Sequence, residues 1–137
     1  MAEVAFHLYT DGACRGNPGQ GGAGAVLMDE KGNICATAKC SLGLCTNNIA
    51  EYKALILGME EALKRQCRNI HIFLDSELLV NQINGIYKIK NENLKVLMRD
   101  VRKLLSYFDN YTVAHIDRSR NIIADRLANE AIDEELK

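Results

Sequence analysis

Four acids stand where the character of the chain changes. Asp11 ends a short strand-like run and precedes a glycine-rich stretch, Tyr9-Thr10-Asp11-Gly12-Ala13-Cys14-Arg15-Gly16-Asn17-Pro18-Gly19. Asp75 ends the apolar run NIHIFL, while Glu51 and Asp125 lie near the starts of segments with helical periodicity. Each has a purely structural explanation. Asp75 before Ser76-Glu77 makes a good helix N-cap, Glu51 three residues after Asn48 resembles a capping box, and Asp125 favours the macrodipole of the last helix. The stripes on the two helices favour a shared purpose instead. Leu55, Gly58 and Ala62 continue the row of Glu51, and Ala128 and Ile132 that of Asp125, so both acids extend inward-facing apolar faces. If the four meet, the cluster repels itself unless divalent cations occupy it, and all-carboxylate donors suit Mg2+ or Mn2+. Two such ions about 3.5–4 Å apart activate a water and stabilise the leaving oxygen of a phosphodiester. The implied chemistry is hydrolytic phosphoryl transfer.

The elements that must position these acids are legible in order. Glu3 to Thr10, Gly21 to Met28 and Ile34 to Cys40 read as strands, with Asp29-Glu30-Lys31-Gly32-Asn33 as a hairpin turn between the second and third. Ile49 to Arg65 is periodic as a helix, Asn69 to Leu74 as a strand, Ser76 to Gln82 and Asn93 to Tyr107 as helices. Tyr111 to His115 is a fifth strand and Asn121 to Glu134 a last helix. Three antiparallel strands followed by α, β, α, α, β, α predict one mixed α/β layer, with strand four beside strand one and strand five beside strand four. That arrangement brings Asp75 and Asp11 to one sheet edge, on strands about 4.8 Å apart.

At 137 residues the chain is expected to form a single domain over 1–137. With 17 Lys+Arg against 18 Asp+Glu, a nucleic-acid partner is held by a local basic face and by cations, not by an overall positive field. Five cysteines, an odd number, argue against a disulfide framework and for a reducing compartment. On a strand Cys35 and Cys40 point to opposite faces, which disfavours a shared metal site. The start, Met1 to Phe6, has no signal-peptide pattern, and no run approaches the ~20 apolar residues of a membrane span, so the expectation is a cytoplasmic monomer.

The motifs YTDGACRGNPG, TNNIAEYKAL, FLDSELLVNQING and HIDRSRNIIADRLANEA, in that order, resemble the signature of type 1 ribonuclease H over nearly the whole chain. The resemblance implies a ribonuclease H-like fold with a five-stranded mixed sheet flanked by helices. It also implies endonucleolytic cleavage of the RNA strand of an RNA/DNA hybrid with two Mg2+ ions, leaving 3'-hydroxyl and 5'-phosphate ends. By the same resemblance Asp11 bridges both ions, Glu51 and Asp75 hold one, and Asp125 holds the other. Thr46, Asn47 and Asn48, with the backbone of Cys14, Arg15, Gly16 and Asn17, match the family's substrate-binding positions. Small amides and hydroxyls there suit phosphate and a minor groove whose 2'-hydroxyl distinguishes RNA from DNA.

The chain departs from the family in two places. His115 matches an auxiliary histidine that helps shuttle a proton or release product, but Ile116-Asp117-Arg118-Ser119-Arg120 lacks the glycine-rich loop of some members, and Arg118 is the alternative group to approach substrate. There is no Trp and no basic protrusion, and no hybrid-binding domain is expected ahead of Val4. This describes a compact form with weaker hybrid binding. Lys95, Arg99 and Arg102 share a helical face that offers a phosphate track or an ordinary solvated surface.

Gly19-Gln20-Gly21-Gly22-Ala23-Gly24 satisfies G-x-G-x-x-G but runs into a strand, not a helix, so the expected use of these glycines is close approach of backbone and substrate. Other readings remain: a nuclease of the same fold with another polynucleotide substrate, and a non-catalytic nucleic-acid-binding module.

Overall fold

The computed structural model describes residues 4 to 136; Met1 to Glu3, which the first expected strand and the reading of the N-terminus include, and Lys137 lie outside the described residues. The strands are β1 (Ala5–Gly16), β2 (Gly19–Met28), β3 (Ile34–Cys45), β4 (Asn69–Leu74) and β5 (Asn110–His115). The helices are α1 (Asn47–Lys64), α2 (Glu77–Ile83), α3 (Glu92–Leu105) and α4 (Ile122–Glu135), with a 3-10 turn at Arg118–Arg120. The sheet order is β3-β2-β1-β4-β5, antiparallel across β3, β2 and β1 and parallel across β1, β4 and β5. This is the topology expected from the order of elements, with Asn69 and Ala5 starting the parallel register that ends at Thr10 and Leu74.

Alternation along β1 sorts its side chains between two layers. Leu8 and Thr10 lie against Gly58 of α1, so Tyr9 and Asp11 belong to the α4 side of the sheet. The core between α1 and the sheet holds Leu8, Leu27, Leu55, Met59, Ile70, Ile72 and Leu74, each at most 1% exposed. Leu94, Met98, Val101 and Leu105, three and four apart on α3, extend the same core. Tyr52 is buried in it, and its hydroxyl donates to Gln82 Oε1 at 2.7 Å, which satisfies both polar groups.

β1 does not stop at the acid. It continues through Gly16 because β2 supplies an antiparallel partner all the way, from His7 opposite Met28 to Gly16 opposite Gly19. The glycine-rich stretch is therefore the end of a hairpin, with Gly16 at φ +99 in its turn. β3 likewise runs to Cys45, beyond the expected Cys40, because Gly19 still pairs with it. What ends at Asp11 is the parallel pairing with β4, so Asp11 is the first β1 residue past that ladder and Asp75 the first past its end on β4. The β2 glycines serve packing: a Cβ at Gly24 would strike the Ala124 carbonyl and the Ala128 amide of α4. Gly22 and Gly24 seat α4 on the sheet, a use of these glycines that the sequence alone did not indicate.

Candidate active site

Three of the four acids meet closely. One carboxylate oxygen each from Asp11, Glu51 and Asp75 lie within 4.8 Å of one another. Asp125 lines the same polar cavity of about 470 Å³ and is near enough to Asp11 to share a hydrogen bond with it. Asp125 stands apart from the tight trio, the same division of the four acids that the family resemblance implies.

Each acid is delivered by its own element. Gly12 lets α1 come flush against β1: a Cβ there would strike the backbone of Ala50 and Glu51, and the Gly12 amide donates to the Glu51 carboxylate. α1 is capped by Thr46, whose Oγ1 accepts from the Ile49 amide at 3.3 Å, so the cap is not Asn48 and Glu51 does not close a capping box with it. Similarly Ser76 caps α2, accepting from the Leu79 amide at 3.2 Å, which leaves Asp75 free to face the cavity. Asp75 is steered by Asn121, a 2% exposed side chain whose Nδ2 donates to both Asp75 Oδ2 and the Thr10 carbonyl at 2.9 Å. Asp125 sits in the first turn of α4, as expected.

Burial, then the charges of Glu51 and Asp75, push the Asp11 carboxyl up to about 10. Burial raises Glu51 to about 7 against the hydrogen bond from Asp11, while the Arg118 guanidinium lowers it. Both shifts favour a proton shared between Asp11 and Glu51 in the metal-free site. Glu51 Oε2 is buried without a hydrogen-bond partner. A converging set of hard oxygens with one orphaned lone pair and a trapped proton fits a divalent cation of the Mg2+ class.

The rim matches the remaining expectations unevenly. Cys14, Asn47 and Asn48 line the acid cavity, and Asn17, Thr46, Asn47 and Asn48 line an adjoining polar pocket with Asn91 and Asn93. Asn17 Oδ1 accepts from the Asn47 amide at 3.1 Å, which ties the hairpin tip to the start of α1. The Arg15 side chain turns to α4, pairing with Asp133 at 2.6 Å, while the expectation for residues 14–17 concerns their backbone. Burial pushes the Cys14 thiol up to about 12, and its sulfur lies 3.4 Å from that of Cys45, both free thiols. His115 ends β5 exposed and is not among the residues lining the acid cavity, whereas Arg118 is.

Of the basic face on α3, Arg102 donates to the Ile83 carbonyl at 3.2 Å and Lys95 pairs with Glu92 at 3.2 Å, so two of its three members have partners within the protein. Sequence reasoning does not single out Asn121, Asn91 or Asn93. Asparagines before helices read as caps, a role Asn91 does fill for Leu94. No helix among the described residues is long and apolar enough to cross a membrane.

Comparison with known proteins places the geometry. A family model described as "Reverse transcriptase-like" matches residues 9–131. The chain is 40% identical to a bifunctional protein of Mycobacterium tuberculosis over 92% of its own length but only 35% of that protein's, so it spans about a third of that relative. It is 36% identical to a ribonuclease H of Thermoanaerobacter sp. strain X514, covering 91% of this chain and 88% of the relative. Among solved structures it superposes on LC11-RNase H1 in complex with an RNA/DNA hybrid with a TM-score of 0.91 and 39% identity, covering 96% of this chain and 99% of the other.

Proposed function

Since the chain belongs to the type 1 ribonuclease H family, we propose that it cleaves the RNA strand of RNA/DNA hybrids endonucleolytically, leaving 3'-hydroxyl and 5'-phosphate ends. The observation that carries this is the approach of Asp11, Glu51 and Asp75 to within 4.8 Å at the sheet edge. Asp125 and the exposed amides of Asn47 and Asn48 share their cavity. The site residues are Asp11, Glu51, Asp75 and Asp125. Asp11, Glu51 and Asp75 would hold one Mg2+, and Asp11 with Asp125 a second, Mn2+ being able to substitute. Bound there, the cations supply the charge that makes water a nucleophile at neutral pH and stabilises the departing 3' oxygen.

The chain's own residues do the rest. Asn121 fixes the rotamer of Asp75, and the Gly12 amide holds Glu51. Arg118 lines the cavity beside the acids and is the group for the phosphate or its leaving product, a role its place supports better than that of His115. Asn47 and Asn48, with Asn17 and the hairpin backbone, face the minor groove, where amides discriminate the 2'-hydroxyl. Residues 1–137 act as one domain, read as monomeric, and an odd number of cysteines, free among the described residues, supports a reducing compartment such as the cytoplasm.

The test is cleavage of a labelled RNA/DNA hybrid beside matched RNA/RNA and DNA/DNA duplexes, with Mg2+, Mn2+ or chelator. Metal-dependent loss of the RNA strand of the hybrid alone is the expected result. Hybrid bound but uncut under every condition would make the chain a binding module, and cutting of DNA would make it a nuclease of different substrate.

A further inference from the structure

Asp125 is the acid that stands outside the tight trio, and a side chain of its own helix bonds to it twice. Asn129, one turn along α4, donates from Nδ2 to the Asp125 carbonyl at 3.0 Å and to Asp125 Oδ1 at 3.3 Å. Four residues is the spacing at which helical side chains stand one above another, and a further four leads to Asp133. Arg15 grips this column from the end of β1. Its Nη2 donates to Asn129 Oδ1 at 3.4 Å and its Nη1 pairs with Asp133 Oδ1 at 2.6 Å. The amide is therefore fixed at both ends: its oxygen turns to Arg15, which forces its NH2 toward Asp125.

We propose that Asn129 is the positioning residue for Asp125. By occupying Oδ1 it leaves Oδ2 to be presented toward Asp11, and through Arg15 it ties that orientation to the hairpin whose strand carries Asp11. The inference rests on the reading of Asp11 and Asp125 as joint ligands of a cation. Asn121 plays the corresponding part for Asp75, so the acids on the two sides of Asp11 are each oriented by an asparagine of α4 or its cap. Groups that orient metal ligands in this way change metal affinity or activity by about 10–100-fold when removed.

The experiment follows Mg2+ binding to the whole chain through the carboxyl 13C signals of Asp125, Asp75 and Glu51, alongside the Mg2+ dependence of hybrid cleavage. Asn129→Leu keeps the volume without donor or acceptor, and Asn129→Ala provides a second variant if that one folds poorly. Either should raise the Mg2+ midpoint read at Asp125 by about 10-fold and shift cleavage to correspondingly higher Mg2+. The midpoints read at Asp75 and Glu51 should stay where they are. Arg15→Met, which leaves the donor in place, should move the Asp125 midpoint in the same direction by less.

A merely structural role would lower cleavage at every Mg2+ concentration with no shift in the Asp125 midpoint, and that result overturns the proposal. If the wild-type chain cuts no hybrid yet its Asp125 midpoint still depends on Asn129, the positioning role stands and the proposed activity falls.

Discussion

Replacing Asp11 by Asn should stabilise the metal-free fold while abolishing cleavage, and the size of the stabilisation follows from proton bookkeeping. Burial and the neighbouring carboxylates push Asp11 up to about 10 in the folded protein, from an ordinary value of 3.8. Between these two values the folded state holds a proton that the unfolded chain has released. The group therefore contributes stability that is fully present below the unfolded value and is lost progressively as pH rises toward the folded one. With one more proton on the folded state the slope is about −1.4 kcal/mol per pH unit, or about 2 kcal/mol between pH 5.5 and 7. The result needs only that Asp11 stays protonated across that interval. An isosteric amide does not titrate, so the Asp11→Asn variant escapes this loss, while Glu51, raised to about 7, titrates in both proteins and cancels to first order in their difference. The assay is urea unfolding in chelator at pH 5.5 and at pH 7 for both proteins, with hybrid cleavage in Mg2+ measured in parallel. Wild type should lose about 2 kcal/mol relative to Asp11→Asn over that interval. Parallel pH dependence would refute the trapped proton, and retained cleavage by the variant would refute the assignment of Asp11.

Mg2+ binding should release protons and tighten from pH 6 to pH 8, because the proton on Asp11 must leave before a cation enters; calorimetry in buffers of different ionisation enthalpy measures it, and pH-independent affinity would contradict it. Asn121→Ala should weaken metal binding or cleavage by about 10-fold or more through a misdirected Asp75, read from Mg2+ titrations, with an unchanged midpoint counting against the role. Tyr52→Phe strands the buried oxygen of Gln82 and should cost about 1–3 kcal/mol in thermal or urea unfolding, with cleavage by the folded protein preserved.

The sequence by itself marked the four acids that the fold brings to one cavity, and it determined the order of elements and the sheet topology. These depend on patterns carried within single segments: the period of α1 that sets Glu51 in line with Leu55 and Ala62, the apolar run ending at Asp75, and the right-handed crossovers that bring β4 beside β1. Even the acids' shared destination was legible, because rows that continue Glu51 and Asp125 are fully buried at Leu55, Ala62, Ala128 and Ile132.

Tertiary structure alone decided how neighbouring residues divide the work. Thr46 and Ser76 take the helix caps, leaving Asn48 and Asp75 for the cavity, a choice between adjacent cap-forming residues that local preference cannot make. β1 runs past Asp11 because β2 is there to pair with it, and Gly24 serves α4 because that helix arrives from a distant part of the sequence. The same holds for Asn121 and Asn129. Asparagine before or within a helix looks unremarkable in sequence, and its amide acquires a task only when packing of α4 on the sheet brings Asp75, Thr10 and Arg15 within hydrogen-bond reach.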